Sequence, residues 1–134
     1  MGGFCVEKGL TVAVIDDDES LRNALTLFAR SIGWNAKVFE SAPSFLDSGE
    51  EANVACIITD VQMPEMTGIE LMKELNARNC SAPVICISAF CTDDIRTEAL
   101  ELGAVAFLCK PVKGADFRSH LQEVAAIASS SNSL

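Results

Sequence analysis

Five short apolar runs, each followed by a segment with helical periodicity, constrain this chain more than any other feature of its sequence. The runs are Leu10–Ile15, Asn35–Phe39, Val54–Thr59, Pro83–Ser88 and Val105–Cys109. The last three are almost continuously apolar, which suits strands covered on both faces of a parallel sheet. Asn35–Phe39 instead alternates polar with apolar residues. Between the runs, Leu21, Ala24, Leu25, Phe28 and Ile32 recur at helical spacing and form one apolar stripe, and Gly33 supplies a stop. A shorter helix is expected over Ser41–Asp47. Thr67 can cap a helix that carries Leu71, Met72 and Leu75, and Thr92 one that carries Ile95, Ala99 and Leu102 and ends at Gly103. A last helix buries Phe117, Leu121 and Val124 and reaches Ala128.

Strands alternating with helices five times over give a (βα)5 chain. Right-handed crossovers then place helices on both faces of one parallel sheet. With 134 residues, 49% of them hydrophobic, the chain has the length for one domain and the apolar content for one core. The folded unit is expected over residues 10–128, after an N-terminal tail at 1–9. The serine-rich end at 129–134 reads as a disordered tail or the start of a linker.

A net charge of −9 argues against binding of nucleic acid or an anionic membrane by this segment. Every apolar run falls short of the ~20 residues that span a bilayer. The six cysteines are Cys5, Cys56, Cys80, Cys86, Cys91 and Cys109. No secretory signal precedes them, none forms a C-x-x-C pair, and His120 is the only histidine, so a zinc site is not expected. Cys56, Cys86 and Cys109 lie inside apolar runs, where a thiol behaves as a small hydrophobe. These features together read as a reduced, cytoplasmic protein.

In a sheet of this kind the binding crevice lies beyond the carboxyl ends of the strands. The polar residues that stand out fall there: Asp16 and Asp17 after the first strand, Asp60 at the third, Ser88 at the fourth and Lys110 at the fifth. Each has an ordinary explanation when taken alone. The acids from Asp16 to Glu19 could favour a helix N-terminus, with Asp18 as its N-cap, Asp60 could open a turn, and Lys110 could be solvated. Their convergence points to chemistry instead. Clustered carboxylates repel one another, and a hard divalent cation with oxygen ligands relieves the conflict. One carboxylate could then attack phosphorus, while a lysine and a hydroxyl hold the transferring oxygens.

The motifs V-I-D-D-D at Val14–Asp18, I-T-D-V-Q-M-P-E-M-T-G-I-E-L at Ile58–Leu71, I-S-A at Ile87–Ala89 and F-L-C-K-P at Phe107–Pro111 resemble those of response-regulator receiver domains, the CheY-like fold of two-component signalling. The resemblance covers roughly Leu10 to Ala128 and implies a strand order of 2-1-3-4-5. It implies that Asp60 is the phosphoacceptor for a sensor histidine kinase. It places Mg²⁺, or Mn²⁺ in its stead, on Asp17, Asp60 and the Gln62 backbone carbonyl, with Asp16 acting largely through water. Lys110 would pair with the phosphoryl oxygens, the peptide bond before Pro111 would be cis, and Ser88 would rotate inward as Phe107 swings with it. Phe107 could equally be a plain core residue. Output would be partner binding or dimerisation at the face made by helix 4, strand 5 and helix 5.

Gln62 and Phe90 flank the expected phosphoryl pocket, and a large apolar residue at 90 could restrict water or meet a partner. The opening V-I-D-D-D-E-S and the stretch F-L-D-S at Phe45–Ser48 are similar to regulators with a C-terminal helix-turn-helix, so the expected role is transcription regulation through an output domain outside this chain. A stand-alone receiver is the alternative. A haloacid-dehalogenase-type phosphohydrolase is a distant one, since Asp16-x-Asp18-x-Ser20 partly mimics its motif. An interaction module with a degenerate site is another.

Overall fold

The computed structural model describes residues 9–132. Residues 1–8 and 133–134, and with them Cys5 and most of the expected N-terminal tail, lie outside the described residues. The chain runs β1 (Thr11–Ile15), α1 (Glu19–Arg30), β2 (Asn35–Phe39), α2 (Ala42–Ser48), β3 (Cys56–Asp60), α3 (Gly68–Ala77), β4 (Val84–Ser88), α4 (Asp93–Glu101), β5 (Ala106–Cys109) and α5 (Gly114–Asn132), with a 3₁₀ turn at Glu50–Ala52. All strand pairs are parallel, and the sheet order is β2-β1-β3-β4-β5. This is the (βα)5 architecture and the strand order expected from the sequence.

Because side chains alternate along a strand, each central strand feeds two cores. From β1, Ala13 and Ile15 pack with Phe45, Leu71, Met72, Leu75, Ala99 and Phe107 on the side of α2, α3 and α4. Val12 and Val14 point the other way, towards Leu25, Phe117, Leu121 and Val124 of α1 and α5. Phe117 is fully buried, which is worth about 2–3 kcal/mol relative to exposure. All five residues of β3 and of β4 are buried, the result of helices on both faces. The edge strand β2 is only partly covered, and its polar residues face out.

Local sequence sets the helix starts. Asp18 caps α1 by accepting from the Ser20 amide, Ser41 caps α2, and Thr92 caps α4 through the Ile95 amide. At α3 the cap is reciprocal: the Glu70 amide donates to Thr67 Oγ1 (3.1 Å) and the Thr67 amide to Glu70 Oε1 (2.9 Å). Gly103 ends α4 in a left-handed conformation, φ +106°, that a side chain would strain.

Two expectations need correction. The last helix does not stop at Ala128 before a disordered serine tail; it continues through Ser129, Ser130 and Ser131 to Asn132. No glycine or proline follows Gly114, and alanines at 125, 126 and 128 favour the helix. Extending a formed helix costs far less than starting one, so mildly unfavourable serines follow. The cysteines are also not all reduced: Cys91 and Cys109 form a disulfide, with Cα atoms 6.0 Å apart. Cys109 ends an apolar run, yet it sits on the exposed tip of β5. Its β4 partner in the ladder is Ser88, which brings Cys91, three residues on, across to it.

Candidate functional site

The register of the sheet assembles the site. Ile15 pairs with Thr59 on β3, so Asp16 and Asp60 emerge side by side at the carboxyl ends of β1 and β3. Asp60 pairs with Ile87 and Ser88 with Cys109, which bring β4 and Lys110 to the same rim. Lys110 is fixed there by its amide, which donates to Ser88 O at 2.9 Å. The peptide bond to Pro111 is cis.

Carboxylate oxygens of Asp16, Asp17 and Asp60 all lie within 4.8 Å of one another. Asp16 is fully buried, Asp60 is nearly so, and Asp17 is exposed. Opposite them, Lys110 Nζ donates to Asp60 Oδ2 at 3.0 Å and stands 3.2 Å from Asp16 Oδ2. Lys110 is thereby shared between the two acids, and the buried Asp16 Oδ2 has the lysine beside it and no neutral donor. The other Asp16 oxygen accepts from the Asp18 amide at 2.8 Å, and Asp60 Oδ1 accepts from the Gln62 amide at 3.2 Å.

The electrostatics follow from this crowding. Burial pushes the Asp16 carboxyl above its ordinary range, and the Asp60 charge adds to the push against the Asp18 amide and Lys110. For Lys110, burial alone would favour the neutral amine, but the hydrogen bond to Asp60 and the charges of Asp16 and Asp60 outweigh it and hold the ammonium firmly protonated. One cation thus faces three carboxylates. Hard oxygen donors and a surplus of negative charge that one lysine does not balance fit a small divalent cation such as Mg²⁺.

Ser88 is fully buried and already engaged. Its hydroxyl has one proton and two acceptors in reach, Phe90 O at 2.7 Å and Gln62 Oε1 at 2.8 Å, and it accepts from the Phe90 amide at 2.9 Å. Phe90 itself projects into solvent with 61% of its surface exposed. Phe107 is buried in the α3–α4 core, and the Arg96 guanidinium of α4 covers its ring at 5.3 Å from the centroid.

Sequence reasoning did not single out two residues that shape the site, Arg22 and Gly68. Arg22 of α1 donates to the Asp16 carbonyl at 2.8 Å and fixes the turn that aims the acids. The Gln62 side chain, expected to flank the phosphoryl pocket, accepts from the Ser88 hydroxyl at 2.8 Å. Gly68 starts α3 so close to the strand end that a Cβ there would lie 2.5 Å from the Asp60 carbonyl oxygen. The glycine in the D-V-x-M-P-x-M-x-G stretch was the available signal for that approach. Asp18, part of the dehalogenase-like spacing, is occupied as the α1 cap and lies outside the carboxylate cluster.

A 2-1-3-4-5 sheet with an acidic cup at its carboxyl rim and a lysine across from it defines a CheY-like receiver. Residues 12–122 match the response regulator receiver domain, and the chain belongs to that family. It is 42% identical over 104 residues to the transcriptional regulatory protein FixJ of Azorhizobium caulinodans, covering 78% of this chain and 49% of that protein. It is 36% identical over 106 residues to the transcriptional regulatory protein TdiR of Thauera aromatica, covering 79% of this chain and 47% of that one. The chain therefore spans about half the length of the curated relatives it matches. Among solved structures it is similar to FixJ-N, with a TM-score of 0.77 and 28% identity over 87% of this chain and 94% of that one. Among the described residues no helix is long and apolar enough to cross a membrane.

Proposed function

We propose that this receiver domain accepts a phosphoryl group on Asp60 from a sensor histidine kinase. The observation that carries the reading is the carboxylate trio opposed by Lys110, whose ammonium alone reaches both Asp16 and Asp60. Asp17, Asp60 and the Gln62 backbone carbonyl would hold Mg²⁺, with Asp16 behind them through water. Bound there, the cation would offset the carboxylate charge and that of the incoming phosphoryl oxygens. An Asp60 carboxylate oxygen attacks phosphorus as the donor's P–N bond breaks and the kinase imidazole leaves, and Lys110 moves from Asp60 to pair with the phosphoryl oxygens. Ser88 leaves Phe90 and Gln62 and donates its proton to a phosphoryl oxygen.

That movement vacates space beside β4, and the Phe107 ring, already buried beneath Arg96, shifts towards it. Phosphorylation shifts the population only because the active arrangement binds the phosphoryl group better than the resting one. The readout is a partner or a second copy docking on α4, β5 and α5, and through an output domain it regulates transcription. The domain turns over only its own phosphoryl group. Phe90, exposed beside the pocket, slows hydrolysis or touches the partner. A Phe90→Glu variant with unchanged phosphate loss and unchanged partner binding would remove that role.

The deciding experiment treats the chain with acetyl phosphate, with and without Mg²⁺, and weighs the intact protein. Wild type gains one phosphoryl group only with the metal, and Asp60→Asn gains none. Uptake that survives Asp60→Asn would overturn the reading.

A further inference from the structure

The Cys91–Cys109 disulfide sits where the proposed switch must move. Cys91 follows Ser88 by three residues, in the loop between β4 and α4, and Cys109 directly precedes Lys110. The bond ties that loop to the tip of the neighbouring strand. In this linked arrangement the Ser88 hydroxyl is engaged by Phe90, a residue of the same tethered loop, at 2.7 Å and 2.9 Å. Ser88 can turn towards Asp60 only if this loop lets go.

Both linked cysteines are exposed, so a solvent-borne reagent can reach them. The remaining described cysteines are different: Cys56 and Cys86 are buried in the two cores, where desolvation pushes each thiol up to about 12, and Cys80 is half-buried beyond the opposite end of the sheet. Among the described cysteines, 91 and 109 are thereby the most accessible to thiol chemistry.

We propose that Cys91 and Cys109 form a reversible modification site for a low-molecular-weight thiol–disulfide couple, and that the linked form slows phosphoryl uptake by keeping Ser88 on its loop. The regulatory half of this inference rests on the phosphoacceptor reading given above. In the reducing direction a small thiolate attacks one sulfur and forms a mixed disulfide, expelling the other cysteine as a thiolate. A second small thiolate then displaces the first cysteine. The two electrons come from the small thiols, which leave as their disulfide, and both cysteine thiolates take protons from water. Oxidation by the small disulfide is the reverse.

The test uses the 134-residue chain. Equilibrated with an oxidised small disulfide and mapped by non-reducing digestion, it should yield a linked 91–109 peptide pair, with Cys56 and Cys86 free. Phosphoryl uptake from acetyl phosphate and Mg²⁺ is then followed by intact mass. Uptake by the linked form should be slower than by the reduced form by on the order of tenfold or more, the scale of withdrawing a hydrogen-bond donor from a transferring group. Cys91→Ser and Cys109→Ser should both react at the reduced rate whatever the redox treatment, and Cys80→Ser should keep the wild-type difference. Free thiols at 91 and 109 after oxidation would overturn the proposal. So would equal rates for linked and reduced protein, and that result would leave the phosphoacceptor reading standing. No uptake by any form would overturn both.

Discussion

Neutralising Asp16 should make the metal-free domain more stable, although it removes half of an ion-pair network. The Asp16→Asn side chain is nearly isosteric, and its Oδ1 can keep the bond from the Asp18 amide. Like charges on Asp17 and Asp60 lie within 4.8 Å of Asp16; at an effective dielectric near 20 the nearly buried Asp60 repels it by ~3.5 kcal/mol, and exposed Asp17, screened by water, by less. Lys110, 3.2 Å away, returns ~5 kcal/mol on the same scale. The charges alone favour asparagine by no more than ~2 kcal/mol, because water screens exposed Asp17, and desolvation of the buried carboxylate adds to the preference. A net gain of ~1–2 kcal/mol corresponds to a rise of about 4–8 °C in Tm for a domain of this size.

The assay is thermal and urea unfolding of both proteins in EDTA and in Mg²⁺. Wild type in metal at about a hundred times its dissociation constant gains ~2.7 kcal/mol, and the variant, short of a carboxylate, gains much less. The order of stability should therefore narrow or reverse on adding metal. The pH dependence has a definite sign. The Asp16 carboxyl is raised above its ordinary 3.8, so the folded chain keeps a proton that the unfolded chain has already lost. The wild-type deficit is absent below pH 3.8, opens as pH rises towards the folded value, and is complete above it. An Asp16→Asn variant no more stable than wild type in EDTA, with an undiminished response to Mg²⁺, would refute the reasoning.

Gly68→Ala should cost about 1–3 kcal/mol in urea unfolding, because the new methyl meets the Asp60 backbone rather than a yielding side chain, and it should weaken the Mg²⁺-dependent rise in Tm. A variant with wild-type stability and metal response would show that the close approach relaxes freely. Phe117→Ala, at a fully buried position between α5 and the sheet, should lose about 3–5 kcal/mol with little change in urea m-value. Cys56 and Cys86, with thiols pushed up to about 12, should resist alkylation at neutral pH until the domain unfolds, so labelling either at the rate of a free thiol would contradict their burial.

Much of the fold was legible because local chemistry announces it. The β2 strand falls on Asn35–Phe39 as read, and Asp18, Ser41, Thr67 and Thr92 cap helices because each is a short polar residue just before an apolar-periodic segment. The strand ends where Asp16, Asp60, Ser88 and Lys110 lie could be marked for the same reason: apolar runs stop there and polar residues begin. The reach of α5 was missed because serine richness was weighed as disorder, while the alanines beside it carry the helix onward.

The chain order of apolar and polar residues determined that alternating strands and helices form, that the central strands are buried on both faces, and that acids and a lysine collect at one rim. Only the tertiary structure decided which groups touch. Register put Cys109 opposite Ser88 and so within bonding distance of Cys91, swung Arg22 under the Asp16 carbonyl, laid Arg96 over Phe107 and turned the Gln62 side chain onto Ser88. Periodicity along a chain encodes which way a residue faces. Contacts between residues far apart in sequence depend on how strands align and helices pack, and no spacing in the linear order records that.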